Sequence, residues 1–206
     1  MGHFSARLVT TLGLAGILSV PTLAGSSTWQ IDPAHSAAQF SVRHLAISTV
    51  RGGFSKVQGT VNFDDADISK SNVDVTIDVS TVDTREPKRD DDLRSDRFFD
   101  VKDFPTMSFK STKVEQLAPG KLKVTGDLTI RGVTKPVVLE VEGPTAPVKD
   151  PWGNQRAAAT ATTKINRQDF GVKWNANMDN GGVVVGDEVS ITIDIEMIKQ
   201  VPKPGA

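Results

Sequence analysis

The chain of 206 residues contains no cysteine. It therefore has no disulfide framework, no thiolate metal site, no thiol nucleophile and no cysteine for lipid attachment, and its stability must come from a core and a continuous hydrogen-bond ladder. Charge of one sign is missing too, since 24 Lys and Arg oppose 25 Asp and Glu for a formal net charge of -1. That balance removes the electrostatic basis for general binding to nucleic acid or to an anionic membrane. Neutral or apolar partners are expected instead. No apolar run reaches the roughly 20 residues that span a bilayer, so no permanent membrane anchor is expected. A serine-centred elbow and a glycine-rich phosphate loop after a strand are also missing.

Histidine is scarce, with 3 in the chain, and His3 falls in the predicted leader. His35 and His44 stand nine apart, on opposite strand parities and about 30 Å from each other on a straight strand. They cannot share a zinc ion within one strand. No catalytic residue, metal ligand set or cofactor is assigned.

What is present begins with an export signal. Arg7 precedes an apolar run from Leu8 to Val20, then Pro21 and Thr22-Leu23-Ala24, with small residues where a signal peptidase reads. The run is about 13 residues, too short to span. Cleavage is predicted after Ala24, giving a leader at 1–24 and one domain at 25–206 with a short disordered C-terminal tail. The predicted location is the periplasm of a bacterium, or secretion.

Beyond the leader, period-two alternation dominates. In Lys121 to Val141, Leu122, Val124, Leu128 and Ile130 share one parity while Lys121, Lys123, Thr125, Asp127 and Thr129 share the other. Arg131-Gly132 marks a turn, and Val137, Leu139 and Val141 then form a second apolar row, so an antiparallel hairpin is predicted. Similar rows run through Trp29 and Ile31; Ala38, Phe40 and Val42; Val57, Gly59, Val61 and Phe63; and Val73, Val75, Ile77 and Val79. Met107 and Phe109, Ala157 to Ile165, and Val189 to Met197 complete eight or nine long strands. A single open sheet of that size would expose its edges. The predicted fold is all-β, an extended eight-stranded antiparallel lipocalin-like barrel.

Thr84 to Asp100 breaks the pattern with dense charge, Pro87 at a first helical position and a closing Phe98-Phe99. A short helix capping one end of the barrel is predicted. Leu93 and Phe98 or Phe99 would dock inward while the charged residues, Asp90 among them, stay solvated with pairs such as Asp90 to Arg94. Asp90, Asp91 and Asp92 point about 100° apart on a helix and cannot converge on one ion. Ala157, Ala159 and Ala161 place only methyl groups on an inward parity, leaving space that Phe109, Phe170 or Trp174 fills or that an apolar ligand occupies.

Several ordered motifs resemble the YceI-like family. They are Trp29-Gln30-Ile31-Asp32 with His35-Ser36; Phe40-Ser41-Val42 with His44; Gly53-Phe54 and Gly59; Thr84, Arg89-Asp90, Leu93-Arg94-Ser95 and Phe98-Phe99-Asp100. Phe104-Pro105, Phe109-Lys110-Ser111, Gly126 to Val137, Ile165-Asn166-Arg167 with Asp169-Phe170-Gly171, and Val185-Gly186-Asp187 with Val189 continue them. The resemblance covers Thr28 to Ile198. It implies an exported barrel holding a long apolar lipid, such as a polyisoprenoid or isoprenoid quinone. Where the central motif often carries histidine before leucine, this chain has Asp92. Gly132 and Gly171 suit turns, and Arg167 with Asp169 reads as a pair across a strand end.

The inward parities and the capping segment supply the candidate ligand-binding residues: Phe40, Val42, His44, Val57, Val61, Phe63, Val75, Ile77, Phe98, Phe99, Met107, Phe109, Leu128, Ile130, Leu139, Ala159, Phe170, Trp174, Ile191 and Ile193. A polar head group would sit at the rim, by His44 or the charged helix. Two other readings stay open, an enzyme acting on a lipid and a ligand-free structural or stress-response protein. Homodimerisation through a strand edge or the barrel wall is possible.

Overall fold

The computed structural model describes residues 25–64, 66–179 and 181–201. The predicted leader with its cleavage after Ala24, and residues 202–206 of the predicted tail, lie outside the described residues. The strands are β1 Ser26–Ile31, β2 Ala37–His44, β3 Ser48–Phe54, β4 Val57–Asp64, β5 Asn72–Asp78, β6 Thr106–Ala118, β7 Lys121–Ile130, β8 Val133–Glu142, β9 Val148–Lys149, β10 Gln155–Asn166 and β11 Val185–Lys199. One α-helix, α1 Pro87–Arg94, and three short 3-10 turns complete the described elements. No helix among the described residues is long and apolar enough to cross a membrane.

Every strand pairing is antiparallel, and β10 joins both β8 and β11. The ring β11-β1-β4-β5-β6-β7-β8-β10 therefore closes on itself, an eight-stranded barrel as predicted. The long β11 makes this possible by serving two partners along one edge. Its Met197 to Lys199 stretch pairs with β1, whereas its Val185 to Asp194 stretch pairs with β2. The wall beside upper β11 is consequently the β2–β3 hairpin, with β3 bridged at Gly53 to Asp83 in the capping segment.

The strand β3 has no counterpart in the alternation read from sequence, because Ser48 to Phe54 interleaves Arg51 and two glycines among its apolar residues. At Gly52 a Cβ would sit 2.6 Å from the Phe40 ring and 2.6 Å from the Thr84 methyl. Glycine is required there because β3 and the capping segment meet in contact. The two-residue turn Arg131-Gly132 has φ of 48° and 72°, the left-handed pair that matches the twist of a tight hairpin. It joins β7 and β8 in the predicted antiparallel hairpin, with Leu122 facing Val141 and Ile130 facing Val133. Val79, predicted to extend a strand, is buried in a 3-10 turn that leads toward the cap.

Alternation turns one face of the barrel strands inward, producing two packed regions. One gathers Trp29, Ile31, Phe54, Val57, Phe98, Phe170 and Met197. The other gathers Phe109, Val114, Leu122, Val124 and Leu139. In the second, a Cβ at Gly126 would collide with the Phe109 ring, so glycine lets that ring lie across β7.

Candidate functional site

Inside the wall runs a cavity of about 230 Å³. Its lining follows the inward parities: Phe40 and Val42 from β2, Val61 and Phe63 from β4, Val75 and Ile77 from β5, and Met107 and Phe109 from β6. Leu122 to Ile130 of β7, Val137 to Val141 of β8, and Val185 to Met197 of β11 add their inward side chains. Ala159 and Ala161 of β10 face the same space, and their small volume is why facing side chains do not meet across it. The wall is almost wholly carbon. A ligand alkyl or prenyl chain would gain about 0.8 kcal/mol per buried CH₂, whereas a charged group without a partner would be penalised.

Of the candidate residues, seventeen lie in this lining: Phe40, Val42, Val61, Phe63, Val75, Ile77, Phe98, Phe99, Met107, Phe109, Leu128, Ile130, Leu139, Ala159, Phe170, Ile191 and Ile193. Three are placed elsewhere. Val57 is fully buried in packed core, where its neighbours leave no space. His44 ends β2 half-buried, opposite Val185 and Ser48. Trp174 packs on the far side of Phe98 with ring centroids 5.3 Å apart, and the Arg97 guanidinium lies 4.7 Å over its ring. The lining also includes residues that strand parity alone did not select, such as Leu93, Val172 and Pro144. Tertiary folding, not alternation, carries those to the cavity.

The capping segment is held by polar ties that the sequence-based reading assigned to solvent. Asp90 is buried at 6% exposure and accepts from the Thr84 amide at 2.8 Å and the Thr84 hydroxyl at 2.5 Å. The predicted Asp90 to Arg94 pair is therefore corrected. Arg94 pairs with Asp91 at 3.1 Å and donates to the carbonyls of Ser80 and Val82. Arg89 donates to the Thr84 hydroxyl and carbonyl. Asp92 pairs with Arg97 at 3.1 Å and lies outside the lining. Arg131 donates to the Asp96 and Gly171 carbonyls, latching the cap to the β7–β8 turn. These ties orient Leu93, Phe98 and Phe99 over the cavity.

Arg167 is a second correction. It does not pair with Asp169, which is exposed. Its donors go to the carbonyls of Gly186, Val172, Trp174 and Val185 and to Asp187 at 3.3 Å. Those bonds use all five guanidinium hydrogens. Burial lowers its pKa, partly offset by Asp187. Arg167 touches the cavity, but its role is to tie the Val172 to Asp187 region onto the end of β10.

A polar cluster missed from sequence forms on the outside. Asp32, His35 and Glu196 bring donor atoms within 4.8 Å of one another, Glu196 arriving from far along the chain. Arg156 already bonds the two carboxylates, 2.8 Å from Asp32 and 2.5 Å from Glu196, and reaches Asp150 at 2.8 Å. The Arg156 hydrogen bond, helped by His35, holds the Asp32 carboxyl down at about 2. Asp150 is held well below the usual range, chiefly by Arg156.

A closed antiparallel barrel with a hollow apolar interior and a helix-bearing cap is a lipocalin-like architecture. The chain belongs to the YceI-like family, whose domain matches residues 29–197. A UPF0312 protein of Vibrio cholerae is 38% identical over 169 residues, covering 81% of this chain and 89% of that one. A UPF0312 protein of Shewanella denitrificans is 38% identical over 193 residues, with 91% and 95% coverage. Among solved structures, Burkholderia cenocepacia BcnA is similar with a TM-score of 0.68, 25% identity, and coverage of 81% and 98%. A Campylobacter jejuni YceI protein gives 0.63, 32% identity, and 77% and 90%. A polyisoprenoid-binding domain from Saccharophagus degradans shares the fold at TM-score 0.60 and 16% identity, covering 84% of this chain and 98% of that one.

Proposed function

We propose that the chain, matured by cleavage after Ala24, binds one long apolar lipid in the barrel cavity and carries or stores it in the periplasm without changing it chemically. The observation that carries this reading is the nearly all-carbon wall of a cavity about 230 Å³ in volume, built from the inward parities of β2, β4 to β8, β10 and β11. Polyisoprenoids and isoprenoid quinones fit that chemistry, and the similar fold of a polyisoprenoid-binding domain supports it. The seventeen candidate residues in the lining are the proposed contacts. Val57 and Trp174 would act by packing behind them, and His44 would stand at the rim.

Affinity would come from desolvating the chain, with little directional bonding. The test is mass spectrometry of an organic extract from protein purified without detergent. A prenyl lipid should co-purify, or bind when added as polyprenol or quinone. Absence of any apolar molecule together with no binding of added lipid overturns the reading.

A further inference from the structure

The run from Ala146 to Trp152, Ala-Pro-Val-Lys-Asp-Pro-Trp, is exposed at every position except Asp150. Trp152 is 80% exposed and Val148 63%. Five of its seven residues are apolar, yet nothing in the barrel covers them.

The hairpin that presents them is firmly built. Asp150 accepts from the amides of Trp152 and Asn154, from the Asn154 side chain, and from Arg156 Nε at 2.8 Å. Arg156 in turn is tied to Asp32 and Glu196. A rigid stem thus holds a large aromatic side chain out in water, which folding alone does not reward. The stem also adjoins the cavity. Pro144 lines it, Thr145 donates its amide to Ala158 at 2.9 Å, and Ala159 lines it again.

We propose that the Trp152 hairpin is a membrane-contacting tip that seats this end of the barrel in the interface of a lipid bilayer. Two observations select a bilayer over a protein partner. A narrow hairpin tip cannot supply the roughly 800 Å² per partner of a stable protein interface, but it can wedge between head groups, where tryptophan partitions favourably. The one carboxylate in the run, Asp150, is turned inward and paired with Arg156, while the exposed Lys149 can reach phosphate. Because Arg156 also serves Asp32 and Glu196, the surroundings are not cationic. Contact is therefore driven by apolar insertion and needs no anionic lipid. That the bilayer also provides the cargo rests on the function proposed above.

The test uses the mature chain with phosphatidylcholine vesicles. Wild type should co-sediment, and its emission should shift to the blue relative to the Trp152→Ala variant. That variant should lose vesicle partition by on the order of tenfold. Partition should persist at about 1 M salt, where screening acts within about 3 Å. Ile47→Asp serves as a control. Ile47 is 79% exposed in the β2–β3 turn, whose Leu45 amide donates to Val184, at the opposite end of β11 from the Trp152 hairpin. Its partition should match wild type. Failure of wild type to sediment, equal sedimentation of Trp152→Ala, loss through Ile47→Asp instead, or a self-association abolished by Trp152→Ala each overturns the tip. Wild type that sediments through Trp152 yet holds no lipid sustains the tip and refutes the cargo.

Discussion

At the scale of single residues, Arg156 does the most organising. It gathers Asp32, Asp150 and Glu196, which come from three distant parts of the chain. Because the Asp32 carboxyl sits at about 2 in the folded protein against an ordinary 3.8, its contribution is fully present above pH 3.8 and is lost as pH falls through 2. That is worth about 2 kcal/mol. Asp150 acts in the same direction. Chemical denaturation followed across pH should show a plateau above about pH 4 and a decline from there down through about pH 2. Arg156→Met should lower the plateau and flatten the decline, so an unchanged acid limb in that variant contradicts the assignment. None of this was legible in sequence. Asp32 and His35 are neighbours there, but nothing in their spacing announces Glu196 or Arg156.

At the scale of elements, the capping segment behaves as a latch. Pro87 at the start of α1 and the inward turn of Leu93, Phe98 and Phe99 were readable from residue type and position. The fate of Asp90 was not, since a carboxylate in a charged helix is normally solvated. It is buried because Thr84, placed by the turn before the helix, offers two donors at once. Asp90→Ala leaves those donors unsatisfied and should cost about 1–3 kcal/mol in urea denaturation. It should also raise protease sensitivity within 84–104. A variant that matches wild type in both measurements removes the latch. Arg94 and Arg167 show the same division. Their charge suggested pairs with Asp90 and Asp169, whereas main-chain carbonyls are their principal acceptors.

At the scale of the whole molecule, the barrel encloses a cavity because β10 faces inward with Ala159 and Ala161. Ala159→Phe fills part of that space. Burying that additional apolar surface without strain should stabilise the fold by about 1 kcal/mol, read as a raised thermal midpoint. It should also reduce the amount of co-purifying lipid. A stabilised variant with undiminished lipid content would place the ligand elsewhere.

Period-two alternation, β-branched residues and the Arg131-Gly132 turn determined by themselves that the chain is a set of antiparallel strands with one apolar face. Strand number and length then required closure, since an open sheet would expose edges. The alanine row also marked where side-chain volume runs short. Only the tertiary structure decided that β11 divides its edge between β1 and β2, that the glycine-bearing β3 completes the wall, and that Val57 and Trp174 pack behind the cavity. Parity states which face a side chain occupies. Whether that face meets packed core or open space depends on residues brought together from across the chain, whose separation in sequence carries no local signal.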